Sequence, residues 1–307
     1  MTHRRAVTGA VLVVASACVL AWALAYPAAS LTPALARAVS DGAAILTMGL
    51  AAIPVLDTGR YRQELLRRAS APLMIASAVW LVSEIVRLVL ASAEAAGIGI
   101  TRLAMQTAVE YALQTAPGRA SLISVTAAAA VCALAAVTGR ADTARGVATG
   151  LAGVGILGHP LTGHLSSSPW GGAAIAVHAL AAALWCGLLA GLLLTVEHRG
   201  QWARILPRFS QVSLLCVTVL LAAGVLGASA VIGSPTDLYA TGYGRVLSAK
   251  VVLTAALVAL AWRNRANWLP AAETHRATAV VSRSRAQREL ALMGAALAAA
   301  ATLAVTG

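Results

Sequence analysis

Charged residues are scarce in this sequence. Only 11% of its 307 residues are Asp, Glu, Lys or Arg, whereas a soluble domain carries roughly 25%. The chain is 59% hydrophobic, with a mean hydropathy of +0.80. This composition excludes a water-soluble globular domain. Apolar runs close to the ~20 residues needed to cross a bilayer recur along the chain. The sequence therefore predicts an all-α polytopic membrane helical bundle, because barrel strands would alternate in polarity.

The motifs of several functional classes are also absent. The four cysteines, Cys18, Cys132, Cys186 and Cys216, stand in separate apolar runs, without the spacing of a zinc module or a disulfide framework. There is no phosphate-binding G-x-x-x-x-G-K-[ST] motif. The sequence shows no serine–histidine–acid arrangement and no paired outer carboxylates. We therefore expect no enzyme activity.

The net charge of +12 is distributed as a topology signal. The arginines fall in short loops between apolar runs, which is typical of membrane topology and not of nucleic-acid binding. Most of them lie in the amino tail and after every second predicted span. By the positive-inside rule we predict a cytoplasmic-membrane protein with its amino terminus inside and its carboxyl terminus outside. The nine predicted spans are about 6–26, 41–56, 72–92, 120–138, 147–163, 173–196, 209–232, 244–262 and 290–306.

Three pairs of segments indicate an internal repeat. TAPGRASLIS at 115–124 is similar to TGYGRVLSAK at 241–250, and LRRASAPLMIAS at 66–77 is similar to LPRFSQVSLLCV at 206–217. TMGLA lines up with WCGLL, which places Ser40 opposite His178. Parallel repeats of this kind occur in transporters, with sites between the repeats.

The repeat predicts three regions. Residues 1–146 form a first four-helix half, and residues 147–265 form a second. Residues 266–307 supply a cytoplasmic basic loop and a terminal helix. The segment 101–117 carries Arg102 and Glu110, and its apolar residues fall at helical spacing, so we expect it to lie on the outer surface as an interfacial helix.

Three of the six histidines surround one polar break between two apolar runs. His159 lies roughly 7 Å deeper than His164, and His178 lies roughly 9 Å into the next span, at a similar depth. An ionisable residue inside a membrane is costly and indicates function by default. Neutral imidazole binds copper, zinc, iron and nickel. We predict a metal or proton site at these histidines; hydrogen bonding across helices is the alternative.

Sulfur and aromatic side chains provide secondary candidates for a metal pathway. Cys186 and Met48 occupy corresponding helices of the repeat, and soft sulfur ligands select Cu(I). Trp185 lies seven residues beyond His178, on nearly the same helical face. Packing is the alternative role for these side chains.

Two further charged sites fall within predicted spans. Glu84 and Arg87 are one helical turn apart, so they either neutralise each other or line a polar pathway. Lys250, the only lysine, either extends its ammonium group toward the membrane surface or faces a cavity as a fixed charge.

Several short motifs occur together in the second half of the chain: Gly163-His164, His178, Trp185, Gly187, Phe209-Ser210, Tyr243-Gly244, Lys250 and Asn264-Arg265. In this combination, the stretch of about 147–265 resembles the copper resistance D (CopD) family. The sequence departs from the family at Cys186-Gly187-Leu188, where members more often show two glycines.

The resemblance implies an inner-membrane protein that transports copper ions or supplies them to copper enzymes. It also implies that a separate extracytoplasmic copper carrier acts as the donor. One alternative is an electron carrier that binds a b-type haem between His159 and His178. Another is an assembly partner that binds no metal.

Overall fold

All regular elements are helices in the residues that the computed structural model describes, which are 15–26, 31–137, 142–162, 170–229 and 236–306. This confirms the all-α prediction. Two short 3-10 turns, Ile53–Leu56 and Ile100–Arg102, accompany the α-helices. The α-helices are α1 (Ala15–Ala25), α2 (Leu31–Ala52), α3 (Gly59–Ala95), α4 (Met105–Gln114), α5 (Ala116–Val137), α6 (Asp142–Thr162), α7 (Gly171–Thr195), α8 (Arg199–Ser229), α9 (Asp237–Ala240), α10 (Gly242–Glu273) and α11 (Ala279–Thr306).

Six helical segments of the described chain are long and apolar enough to cross a membrane. They are Leu31–Leu56 and the helices α3, α5, α7, α8 and α10. The remaining predicted spans fall on α1, α6 and α11, so the count of nine stays a prediction. Helix α4 has 10 residues and is too short to span; its position on the outer surface also stays a prediction.

The chain divides into two compact units. The central unit comprises Val39–Thr195 and Val212–Val231, and the terminal unit comprises Met1–Ala38, Val196–Gln211 and Ile232–Gly307. In the central unit α5 packs against α3 and α6, and α6 packs against α7. In the terminal unit α10 packs against α11. The two halves predicted from the sequence, 1–146 and 147–265, describe a repeat and not a division into compact units. They stay a prediction.

Helices α2 and α7 cross at two glycines within the central unit. A Cβ atom on Gly187 would lie 2.9 Å from the Cα of Gly49, and one on Gly191 would lie 3.1 Å from the Cδ1 of Ile53. The two contacts follow one another in the same order along both helices, so α2 and α7 run in the same direction. Small residues at such crossings let backbones approach closely in membranes, where packing drives helix association.

Arginines connect helix ends at one end of the central unit. The Nε of Arg62 lies 3.2 Å from a carboxylate oxygen of Asp142 at the start of α6. Arg145 donates to the backbone of α3 at 3.2 Å, and Arg68 donates to the carbonyl of Thr195 at the end of α7. The first turns of α3, the start of α6 and the end of α7 therefore lie at the same end of the central unit.

The terminal unit repeats this arrangement. Arg265 near the end of α10 donates to the carbonyl of Ser210 at 2.9 Å. Arg283 of α11 donates to the carbonyl of Val196, which precedes α8, at 3.0 Å. The buried carboxylate of Glu289 accepts from the Asn264 amide at 2.7 Å. Basic residues thus gather at one end of each unit.

The glycine crossing predicts a local cost for any added side chain. Gly187→Ala would push a methyl group into the backbone of α2, so we expect a loss of about 1–3 kcal/mol in the free energy of unfolding, the usual cost of overpacking. Gly150→Ala is the control, because a Cβ there meets nothing within 4 Å. Thermal unfolding followed by tryptophan fluorescence would compare them, and equal midpoints would contradict this prediction.

Candidate functional site

A buried carboxylate lies in the middle of α3. The side chain of Glu84 is only 1% exposed. His159 of α6 places its Nε2 2.7 Å from Oε1 of Glu84, and the hydroxyl of Ser40 on α2 donates to Oε2. A charge at this depth is tolerated only when it is paired and hydrogen-bonded. Glu84 therefore binds α2, α3 and α6 together through polar contacts.

A guanidinium group links this carboxylate to a second acid. Nη1 of Arg87 lies 3.5 Å from Oε2 of Glu84 and 3.5 Å from Oδ1 of Asp41. The Asp41 side chain is 32% exposed, so the cluster extends from a fully buried acid to a partly accessible one. We call these five residues (Ser40, Asp41, Glu84, Arg87 and His159) the Glu84 cluster. The predicted Glu84–Arg87 contact is present; the polar pathway stays a prediction.

The contact between Gly155 of α6 and Trp80 of α3, one turn before His159, determines which residue of α3 His159 faces. A Cβ on Gly155 would lie 2.6 Å from the indole of Trp80, which is 1% exposed. Helices α3 and α6 both begin at the arginine-rich end of the central unit and run in the same direction. Four residues further on each helix, His159 and Glu84 face each other. The glycine therefore admits the indole, and the indole sets the register of the ion-pairing residues.

Hydrogen bonds orient both described histidines of the predicted site. Because a carboxylate only accepts, the Nε2 of His159 carries the hydrogen that faces Glu84. The Nδ1 of His178 lies 2.9 Å from the carbonyl oxygen of Leu220 on α8, so this nitrogen donates. In the neutral rings, the lone pair lies on Nδ1 of His159 and on Nε2 of His178. A metal-binding histidine usually donates its other N–H group to a carboxylate or a carbonyl in this way.

The structure brings the two histidines close in level but bonds them to different helices. Helix α6 packs on α7, and a Cβ added to Gly153 would lie 3.6 Å from the Cδ2 of Leu180. By the helical rise, His159 and His178 then lie within about one turn of each other along the axes. His164 belongs to the segment 163–169, which lies outside the described residues. Among the residues that are described, no three His, Cys, Asp or Glu side chains form a group that could hold a metal ion. The three-histidine site stays a prediction.

The secondary candidates occupy separate positions. Met48 is buried and Cys186 is half-buried, each next to a glycine of the α2–α7 crossing. Trp185 is 1% exposed, and its Nε1 has no hydrogen-bond partner in the described part of the chain. Lys250 is half-buried on α10 in the terminal unit. Of these candidates, Glu84 contacts a predicted histidine, His159.

Sequence reasoning missed two members of the Glu84 cluster. Ser40 and Asp41 lie at the edge of a predicted span, where polar residues are common and carry no special signal. The repeat alignment had placed Ser40 opposite His178, and this was the available signal. The pairing of His159 with Glu84 was also missed, because each was matched with residues nearer in the chain.

Long apolar helices with a paired buried charge define a multi-pass helical membrane protein. Two family models match its chain: "Copper resistance protein D-like, N-terminal domain" at residues 28–173 and "Copper resistance protein D" at residues 203–303. The chain belongs to the copper resistance protein D family. No curated protein and no solved structure matches it. The match at residues 28–173 covers the spans before residue 147, where the resemblance read from the sequence was weak.

The burial of Glu84 predicts a large loss of stability when its carboxylate is removed. Glu84→Ala would leave Arg87 and His159 without their buried partner, and breaking such a pair costs about 3–5 kcal/mol. Glu94→Ala on the same helix is the control, since Glu94 is exposed and surface changes stay within about 0.5 kcal/mol. Denaturation in a fixed detergent would measure both, and a Glu84→Ala variant as stable as the control would refute the pairing.

Proposed function

We propose that this protein carries copper ions across the cytoplasmic membrane or delivers them to copper enzymes, with histidine side chains as the ligands near the outer face. Membership of the copper resistance protein D family supports copper handling. The observation that carries the proposal is the hydrogen bonding of His159 and His178. Each ring donates one N–H group to a fixed acceptor, which is how proteins prepare an imidazole for a metal.

The electrostatics of the Glu84 cluster favour a cation. The carboxylate of Glu84 lies 2.7 Å from the Nε2 of His159. Its negative charge favours a copper ion bound by this imidazole, because charges interact strongly away from bulk water. Ser40 satisfies the second oxygen of Glu84, so the carboxylate keeps its orientation.

The position of the histidines in the central unit supports capture from outside. Asp142 at the start of α6 and Thr195 at the end of α7 both contact arginines of α3. His159 and His178 each lie 17 residues from those points, or about 25 Å along a helix, in a hydrocarbon core of about 30 Å. If the basic end is cytoplasmic, as the positive-inside rule requires, the histidines are near the outer face.

The path of copper then follows the order of the ligands. A carrier outside the cytoplasm would deliver the ion to His164, and the ion would pass to His159 and His178. Copper is cargo in this scheme, so binding must be strong enough to capture the ion and weak enough to release it. Met48 and Cys186 offer softer ligands further along α2 and α7.

Metal analysis tests the histidines directly. We expect the purified protein to bind Cu(I), and His159→Ala or His178→Ala to weaken binding at least about tenfold, because loss of even an outer-shell partner costs that much. His198→Ala and His275→Ala are matched controls, since both histidines are exposed. Equal copper affinity in all variants would overturn the proposal. An intense Soret band in the purified protein would instead favour the haem carrier.

The carboxylate behind His159 gives a second, finer test. Glu84→Gln keeps the size and the bond to Ser40 but removes the charge, and loss of such a partner lowers metal affinity about 10–100-fold. We expect that change in Cu(I) affinity from competition titrations, with Glu94→Gln unchanged. A Glu84→Gln variant with wild-type affinity would show that the carboxylate does not assist the metal.

A further inference from the structure

The same local structure begins α5 and α10. Each helix follows a threonine whose hydroxyl accepts the N–H group three residues later: Gly118 donates to Thr115 at 3.0 Å, and Gly244 donates to Thr241 at 2.9 Å. The backbone angles of the two threonines agree, with φ of −99° and −104° and ψ of 150° and 153°. The T-x-x-G-R similarity in the sequence thus corresponds to one helix-capping structure built twice.

The arginine of this motif also behaves alike in both places. Arg119 donates to the carbonyl of Gln114 at 3.3 Å, and Arg245 lies 3.5 Å from the carbonyl of Ala240. Both carbonyls belong to the residue just before the threonine, at the end of a short helix. The order of elements from α2 to α6 therefore recurs from α7 to α11: two long helices, a short one, and two long ones.

The repeat alignment also relates two side-chain contacts that were not used to make it: Ser40 with Glu84, and His178 with Gly224. Aligning Gly49 with Gly187 places Ser40 opposite His178, and aligning 66–77 with 206–217 places Glu84 opposite Gly224. Ser40 donates to Glu84 across α2 and α3. At the equivalent place between α7 and α8, the Nδ1 of His178 lies 3.1 Å from the position that a Cβ of Gly224 would take.

We propose that α2–α3 and α7–α8 form the same pocket twice, and that Gly224 is the positioning residue that turns the second one into an imidazole pocket for a soft or borderline metal ion. In the first pocket a carboxylate fills the space between the helices. In the second, the space above Gly224 holds the ring of His178, which reaches the carbonyl of Leu220 one turn away. This inference rests on the proposed function for the identity of the ion as copper.

The packing explains why residue 224 is glycine. Glycine inside a helix is destabilising relative to alanine, so an interior glycine needs a reason. A methyl group at position 224 would approach Nδ1 of His178 at 3.1 Å and Cε1 at 3.3 Å. The ring would have to move from its acceptor, and the N–H group that selects the tautomer would lose its partner.

A matched pair of glycines on α8 tests this role. Gly224→Ala crowds the ring of His178, whereas Gly227→Ala, one turn later, crowds the apolar side chain of Ile175 at 2.8 Å. We expect Gly224→Ala to weaken Cu(I) binding about tenfold, as the loss of an orienting partner does, and Gly227→Ala to leave it unchanged. Solid-state NMR of ¹⁵N-histidine in the metal-free protein should show loss of the His178 Nδ1–H signal in Gly224→Ala alone.

The metal-free spectrum separates this inference from the proposed function. If His178→Ala does not affect copper binding, the copper role of His178 fails, while the spectrum still decides whether Gly224 seats the ring. An unchanged His178 signal in Gly224→Ala would overturn the inference. If Gly224→Ala unfolds easily, His178→Ala in the same chain should recover the lost stability, because the two changes act at one contact. Additive losses would also overturn it.

Discussion

The structure depends on burying one carboxylate among membrane helices. A lone charge at the position of Glu84 would be costly in an apolar environment, so its ionised form requires partners that lie within hydrogen-bond distance. Those partners come from α2, α6 and the next turn of α3. Each helix is thereby held in one rotation about its axis. Apolar packing alone would not select that rotation, since lipid tails are as apolar as leucine.

Small residues make this polar contact geometrically accessible. Gly155 gives room to the Trp80 indole, and the close approach of Gly49 and Gly187 brings α2 against α7. Backbone proximity matters because Ser40 has a short side chain and reaches Glu84 only if α2 lies close to α3. Gly155 is therefore a condition for the contact between His159 and Glu84, which lies one turn further along the same two helices.

The sequence was sufficient to predict the helices, the arginine-rich ends and the local Glu84–Arg87 contact, because these depend on composition and on short spacings. It was not sufficient to pair His159 with Glu84, 75 residues apart. In soluble helices the apolar face shows which side turns inward. In α3 and α6 both the lipid-facing and the protein-facing sides are largely apolar, so the sequence does not show which faces meet. His164 lies outside the described residues, so the full histidine set remains a prediction.

The repeat that we propose would place two different chemistries on one scaffold. In that proposal, a serine and a glutamate in the first pocket correspond to a histidine and a glycine in the second, so the larger polar side chain comes from the other helix of the pair. The first pocket already contains a guanidinium, which repels a metal ion from the carboxylate oxygens unless a neutral imidazole such as His159 holds the ion. In the second pocket, His178 donates to a backbone carbonyl. In our proposal, the imidazoles of both pockets bind a soft cation, which requires the two halves to differ.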